Sequence, residues 1–152
     1  MKGKTNDIKK NEMKLRLPSI SVNESVARAT VAAFCAQADP AAAELAVIKC
    51  VVSEAVTNCI VHAYREEVGI IYITVTLYDS GRVKLEIKDK GVGIEDVSLA
   101  RQPLYTTDAA NERSGMGFTV MESFTDRIKV TSKPGKGTKV VMYKKLHGRS
   151  GV

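Results

Sequence analysis

The sequence predicts an α+β protein, a two-layer sandwich with helices on one face of a mixed, mostly antiparallel sheet. Three observations predict it. Two long apolar helical stretches follow one another directly, and two β-branched runs each fold back on a glycine-containing turn. Strands and helices are also grouped rather than strictly alternating, which argues against a doubly wound fold. A chain of 152 residues is the length of one ordinary domain with one core.

Each element has its own justification. Residues 1–12 are polar and are expected to form a flexible basic tail. From Met13, "MKLRLPSI" alternates apolar and polar as a half-buried strand does, and Pro18 ends it or marks an edge. In "NESVARATVAAFCAQAD", Asn23 can cap a helix whose apolar stripe is Val26, Ala29, Ala33 and Phe34. "DPAAAELAVIKCVVSEAVTNCIVHAY" offers Asp39 as cap and Pro40 at the first helical position. It then runs on as an Ala-, Val- and Ile-rich helix expected to be buried over much of its circumference. "GIIYITVTLYDSGRVKLEIKD" is a hairpin about Asp79 and Gly81, and "RIKVTSKPGKGTKVVMYKK" is a second one about "KPGKG". Between them, "RQPLYTTDAANERSGMG" is long and polar enough for a lid, and a short helix follows near "FTVMESF". The domain is therefore expected over residues 13–146, with 147–152 as a C-terminal tail.

Composition excludes several classes. Apolar residues make up 44% and charged residues 26%, the balance of a soluble globular protein. The N-terminus has no apolar core of a signal peptide, and no membrane-spanning apolar run is expected, so a cytoplasmic protein is the default. Cys35, Cys50 and Cys59 are odd in number and lack CxxC spacing, which fits small core residues better than disulfides or zinc. The net charge is +6, of which the two ends supply +5 and the middle +1. Aromatic residues are few and none interleaves with the basic ends, so no direct nucleic-acid partner is expected.

Four short motifs could carry chemistry. Glu54 and Asn58 lie four apart and so share a helix face, where a carboxylate and an amide oxygen could hold hydrated magnesium or polarise a hydroxyl. The same spacing also describes an ordinary solvated face. "DKGVG" follows a strand: Asp89 could accept from an exocyclic amine such as that of adenine, while Gly91 and Gly93 let the backbone approach a ligand. In "RSGMGF", Gly115 and Gly117 precede a helix whose free N–H groups suit a phosphate. Thr138 of "GKGT" enters the last strand, where its hydroxyl could reach the base. Taken singly, each also fits a turn or a loop-to-helix junction.

In the order ExxxN, DxGxG, GxG, GT, these motifs resemble the ATP-binding domain shared by type II topoisomerases, ninety-kilodalton-class heat-shock chaperones, mismatch-repair proteins and histidine kinases. This GHKL group has the Bergerat-type ATP-binding fold, and the resemblance covers roughly residues 13–146. It implies ATP or ADP with Mg2+ as cofactors, Glu54 as general base and Asn58 as magnesium ligand. It implies further that Asp89 reads adenine in a pocket shaped by Gly91 and Gly93. Gly115 and Gly117 would lie at the lid's phosphate contacts, and Thr138 would support the base. Arg101 and Arg113, on the same lid, could add positive charge near the phosphates.

"NEMKLRLPS", "VVSEAVTNCIVHAY", "GVGIEDVSLARQPLYTT", "ERSGMGFTVMESF" and "GKGTKV" resemble the serine-kinase branch of that group, the sporulation anti-sigma-F family. That resemblance implies a homodimer that binds a sigma factor in its ATP form and phosphorylates a serine of an anti-anti-sigma protein. It also implies that Arg28, with Glu24 one turn earlier, contacts those partners, although the i,i+4 spacing alone favours a plain surface salt bridge. His62 and His147 lie on the ExxxN helix and in the tail, not on a separate helical hairpin, which argues against a histidine autokinase. Two other readings stay open: a module that uses ATP only as a conformational ligand, and a stress-response switch kinase acting on a different sigma factor. The retained Glu54 favours an enzyme. Ala63 stands where a glycine is usual in the family ("HAY" for "HGY") and is expected to tighten the pocket wall.

Overall fold

The computed structural model describes residues 6–102 and 117–148. Strand β1, Lys9–Pro18, turns Met13, Leu15 and Leu17 inward and leaves the residues between them exposed. It begins four residues before the expected Met13, so residues 9–12 belong to the sheet and not to a tail. Main-chain pairing with β2 needs no apolar side chain and carries β1 back to Lys9 opposite Tyr78, across an irregularity between Lys9 and Asn11. Asp7 is fastened as well, by the Ser80 hydroxyl at 2.6 Å and by Arg82 at 3.4 Å.

Helix α1, Val22–Cys35, does not start on Asn23 as expected. Asn23 lies inside the first turn, where its Nδ2 donates to the Pro18 carbonyl at 2.8 Å and ties the helix to the end of β1. The expected stripe is also rotated. Ala27, Val31 and Cys35 are buried, whereas Val26, Ala29 and Ala33 face outward. Alanines surround this helix on every side, so packing against its neighbour, and not periodicity, selects the buried face.

Helix α2, Ala42–Asn58, starts two residues later than Pro40 predicts. A residue before proline is disfavoured in the helical region, and Asp39 instead takes a left-handed conformation at φ 50°. Ala41 occupies the N-cap position, and Glu44 reaches back to accept its N–H at 3.0 Å. Ile48, Val51, Val52, Ala55 and Val56 are all buried, as the composition of this helix predicts. The stretch Ala42–Ala63 is long and apolar enough by length and composition to cross a bilayer, which the sequence reading did not anticipate. In the fold it is the central helix, packed between α1 and α4.

The hairpins form as expected: β2 Ile70–Tyr78 with β3 Arg82–Lys88, and β4 Arg127–Lys133 with β5 Gly137–Lys145. The sheet order is β1-β2-β3-β5-β4. Every pairing is antiparallel, not mixed, because β5 lies between β3 and β4 and separates the two strands that run the same way. Ile71, Ile73, Val75 and Leu77 of β2, with Val83, Leu85 and Ile87 of β3, turn one face of the sheet toward the helices. Each such side chain stabilises the fold by roughly 1.5–3 kcal/mol. Short helix α3, Val97–Ala100, and helix α4, Gly117–Phe124, complete the helical layer, with Met121 of α4 fully buried. Most of the expected lid, with Arg113 and Gly115, lies outside the described residues.

Candidate active site

The end of α2 does not continue as a regular α-helix. Residues Cys59–Ala63 form a π-turn closed by the Tyr64 N–H on the Cys59 carbonyl at 3.0 Å. The wider turn leaves the Ala63 carbonyl to accept from Val92 N–H at 3.0 Å, which anchors the glycine loop after β3 to the helix end. Gly91 is required at this junction, since a Cβ there would run into the same carbonyl. Gly93 has φ 75° and its backbone lies against the Lys133 carbonyl. The β4–β5 turn is thereby clamped to the loop, with Gly135 N–H donating to the Val92 carbonyl at 2.7 Å.

These elements enclose a cavity of ≈ 430 Å3, a size common for small-molecule sites. Ile87 and Val140 form part of its apolar wall, and Asn58, Asp89 and Thr138 supply polar groups. Asp89 is only 5% exposed. Its Oδ1 accepts from Gly91 N–H at 2.9 Å and Thr138 N–H at 3.2 Å, and its Oδ2 lies 3.7 Å from the Cys59 thiol. Burial pushes the carboxyl above its ordinary range and outweighs the backbone donors that favour the charged form. Burial first, and the neighbouring Asp89 charge second, push the Cys59 thiol far up, so it stays protonated and donates. A carboxylate with one oxygen fixed by two main-chain donors presents its other oxygen in a set direction.

Asn58 and Gly117 also line the cavity, and Glu54 lies next to them without lining it. A Cβ on Gly117 would stand 3.3 Å from both polar atoms of the Asn58 amide and 3.4 Å from Glu54 Oε2. The N-terminus of α4 therefore rests directly on the ExxxN pair, and the absence of a side chain at residue 117 permits that approach. Thr138 is held by a 2.8 Å contact between its hydroxyl and that of Ser132. Arg101 does not line the cavity; it forms an ion pair with Glu122 of α4 at 3.2 Å. Arg28 and Glu24 are paired at 3.0 Å on α1, and Arg28 Nη1 also lies 3.5 Å from the Ser53 hydroxyl, next to Glu54 in sequence.

Sequence reasoning missed several lining residues. Cys59 was expected to be plain core, yet it touches Asp89; its place one residue after Asn58 was the available signal. His62 lines the cavity, as does Arg65, which has φ 53°. Ala63 lines it too, at 8% exposure. Phe118 carried no signal before α4 was placed.

A family model described as a histidine kinase-like ATPase domain matches residues 19–144. The anti-sigma F factor of Caldanaerobacter subterraneus is 55% identical over 134 residues, covering 88% of this chain and 93% of that protein. That of a Geobacillus species is 56% identical over 136 residues, covering 89% and 92%. This chain belongs to the anti-sigma F factor family. This family member carries a histidine kinase-like ATPase domain, a nucleotide-binding fold. The RsbU and RsbW domains of Rv1364c from Mycobacterium tuberculosis share that fold, with a TM-score of 0.65 over 90% of this chain and 33% of that one at 17% identity. So does ShkA, solved in complex with AMPPNP, with a TM-score of 0.57 over 86% of this chain and 31% of that one at 15% identity.

The site of this anti-sigma F family member fits a magnesium nucleotide. Magnesium bound with a nucleotide takes only one or two protein oxygens, and the Asn58 amide oxygen, on the cavity lining, offers one. Among the described residues, no cluster of three His, Cys, Asp or Glu forms a self-contained metal cage.

Proposed function

We propose that this chain is an ATP-dependent protein serine kinase that also binds and inhibits a sporulation sigma factor. Its phosphoacceptor in this reading is a serine of an anti-anti-sigma protein, and it acts in the cytoplasm as a homodimer. The observation that carries the reading is the meeting of Glu54, Asn58 and Gly117 beside a cavity that Asn58 and the buried Asp89 both line.

Asp89 accepts from the adenine amine through Oδ2 and sets the nucleotide's direction, so that the phosphates extend toward Asn58. Bound magnesium, held by Asn58, supplies neutralisation of phosphate charge. Glu54 takes the proton of the incoming serine hydroxyl as its oxygen bonds to the γ-phosphorus; the bond to the bridging oxygen breaks and ADP departs. The N–H groups opening α4 face developing negative charge. Arg113 and Gly115, outside the described residues, retain their phosphate roles in this reading, and Arg101 requires release from Glu122 to join them.

The experiment is incubation with Mg-ATP and the anti-anti-sigma protein of the same organism, followed by intact mass spectrometry of that partner. One added phosphate on a serine is expected. Glu54→Gln should retain ATP binding and lose at least about a hundredfold in transfer rate. ATP binding without transfer would leave a binding module and remove the role of Glu54.

The partner surface is the exposed side of α1. It is centred on the Glu24–Arg28 pair, where Arg28 also lies 3.5 Å from the Ser53 hydroxyl of α2. Arg28→Ala is expected to weaken sigma-factor binding at least tenfold while leaving ATP binding intact. Titration calorimetry showing unchanged sigma affinity would reject that surface.

A further inference from the structure

The sequence places most of the net positive charge at the chain ends, but the fold concentrates basic groups elsewhere. The face of the sheet turned away from the helices is built from alternate residues of all five strands. Past the β1 irregularity, β1 contributes Lys14 and Arg16 to it, and β3 contributes Arg82, Lys84 and Lys88. Strand β4 adds Arg127, Lys129 and Lys133, and β5 adds Lys139 and Lys145. Against these ten cations stand three anions: Glu12 and Glu86 on the strands, and Asp7, paired with Arg82 at 3.4 Å. The whole chain is only +6, so the remaining residues are together net negative. Among the described residues, no helix packs on this face.

We propose that this sheet face is a binding surface for the phosphate backbone of duplex DNA. Outward positions lie about 7 Å apart along a strand and about 5 Å apart across strands. The cations therefore form a grid, suited to a ligand with closely repeated negative charge. Seven of the ten are lysines, and the apolar side chain at the centre, Val141, is 8% exposed. Protein–protein interfaces are depleted in lysine and rely on apolar or aromatic anchors, so the composition disfavours an acidic protein. A membrane surface would need insertable apolar groups, which the centre of this face does not offer.

The tyrosines decide between duplex and single strand. Tyr72 is covered by Arg16 at 5.3 Å and by Lys90 at 5.1 Å. Arg82 covers both Tyr78, at 4.5 Å, and Tyr143, at 5.2 Å. Rings already stacked under cations are poor platforms for unpaired bases. What remains for recognition is the phosphate backbone, read without regard to sequence.

The inference is independent of the kinase reading and is tested by anisotropy of a fluorescein-labelled 30-bp mixed-sequence duplex with the full chain. Micromolar binding is expected at 50 mM KCl, falling about a hundredfold at 200 mM if roughly four phosphates are engaged. Lys84→Glu/Lys129→Glu should weaken binding more than tenfold at 50 mM, whereas Lys49→Glu on α2 should leave it unchanged. Circular dichroism checks that the double variant is folded; if it is not, Lys129→Gln/Lys133→Gln on the edge strand is expected to give a smaller loss in the same direction. No duplex binding at 100 μM protein, or binding indifferent to the sheet substitutions, overturns the proposal. Binding confined to phosphatidylglycerol vesicles or polyglutamate overturns it equally.

Discussion

Asp89 shows a conflict between binding and stability within one side chain. Burial raises its pKa above the ordinary 3.8, so the ionised form costs the empty protein stability. The sign follows from linkage: the favourable contribution is complete below the unfolded pKa and is lost as pH rises through the folded one. Asp89→Asn should therefore leave the melting temperature of the nucleotide-free protein at neutral pH unchanged or higher. Its amide oxygen can still accept from Gly91 and Thr138, but its NH2 faces the adenine amine, and ATP affinity should fall at least tenfold by calorimetry. Wild-type affinity should also weaken as pH falls through the raised pKa, and the variant's should not follow. Asp89 was legible as a site residue because a carboxylate closes a strand before two glycines. Cys59 was not, because its contact with Asp89 joins residues thirty positions apart.

At the scale of elements, the caps and faces of the helices departed most from expectation. Glu44, passed over in the sequence, accepts Ala41 N–H at the start of α2 and also His147 and Gly148 N–H, at 2.7 and 3.1 Å. It fastens the chain beyond β5 to the central helix. Partial burial pulls its carboxyl upward, but the three backbone donors prevail and hold it below its ordinary 4.5. Its stabilisation is thus present above the unfolded pKa and lost as pH falls through the folded one. Glu44→Gln should cost about 1 kcal/mol at neutral pH, with the difference from wild type closing as pH falls below 4, measured by urea unfolding. The rotated face of α1 and the π-turn after Asn58 were equally hidden. Small residues permit several faces, and a π-turn differs from an α-turn by one residue of hydrogen bonding that only its tertiary partner, here Val92, rewards.

For the whole molecule, the site is assembled by bringing the two helical and two hairpin units together. Glu54 and Asn58 come from α2, Gly117 from α4, Asp89 from the end of β3 and Thr138 from β5. A nucleotide joining these parts should stabilise all of them at once. ATP with magnesium at 100 times its Kd adds about 2.7 kcal/mol, a rise in melting temperature of roughly 5–10 °C for a domain of this size. GTP should give little shift, because its ring presents a carbonyl where Asp89 needs an amine. Differential scanning fluorimetry with both nucleotides is the check; equal shifts would show that Asp89 does not read the base.

The sequence by itself determined the α+β class, both hairpins and the buried central helix, and it nominated Glu54, Asn58, Asp89, Gly117 and Thr138 as candidate site residues. These are local facts: period-two and helical patterns, turn glycines, and residues four apart on one helix face. Only the tertiary structure decided which face of α1 is buried, that β5 enters between β3 and β4, and that Cys59 and His62 line the cavity. It also decided that basic residues scattered along four strands share one face. Each of these depends on packing between segments distant in the chain, where the free energy lies in contacts that no local window of sequence contains.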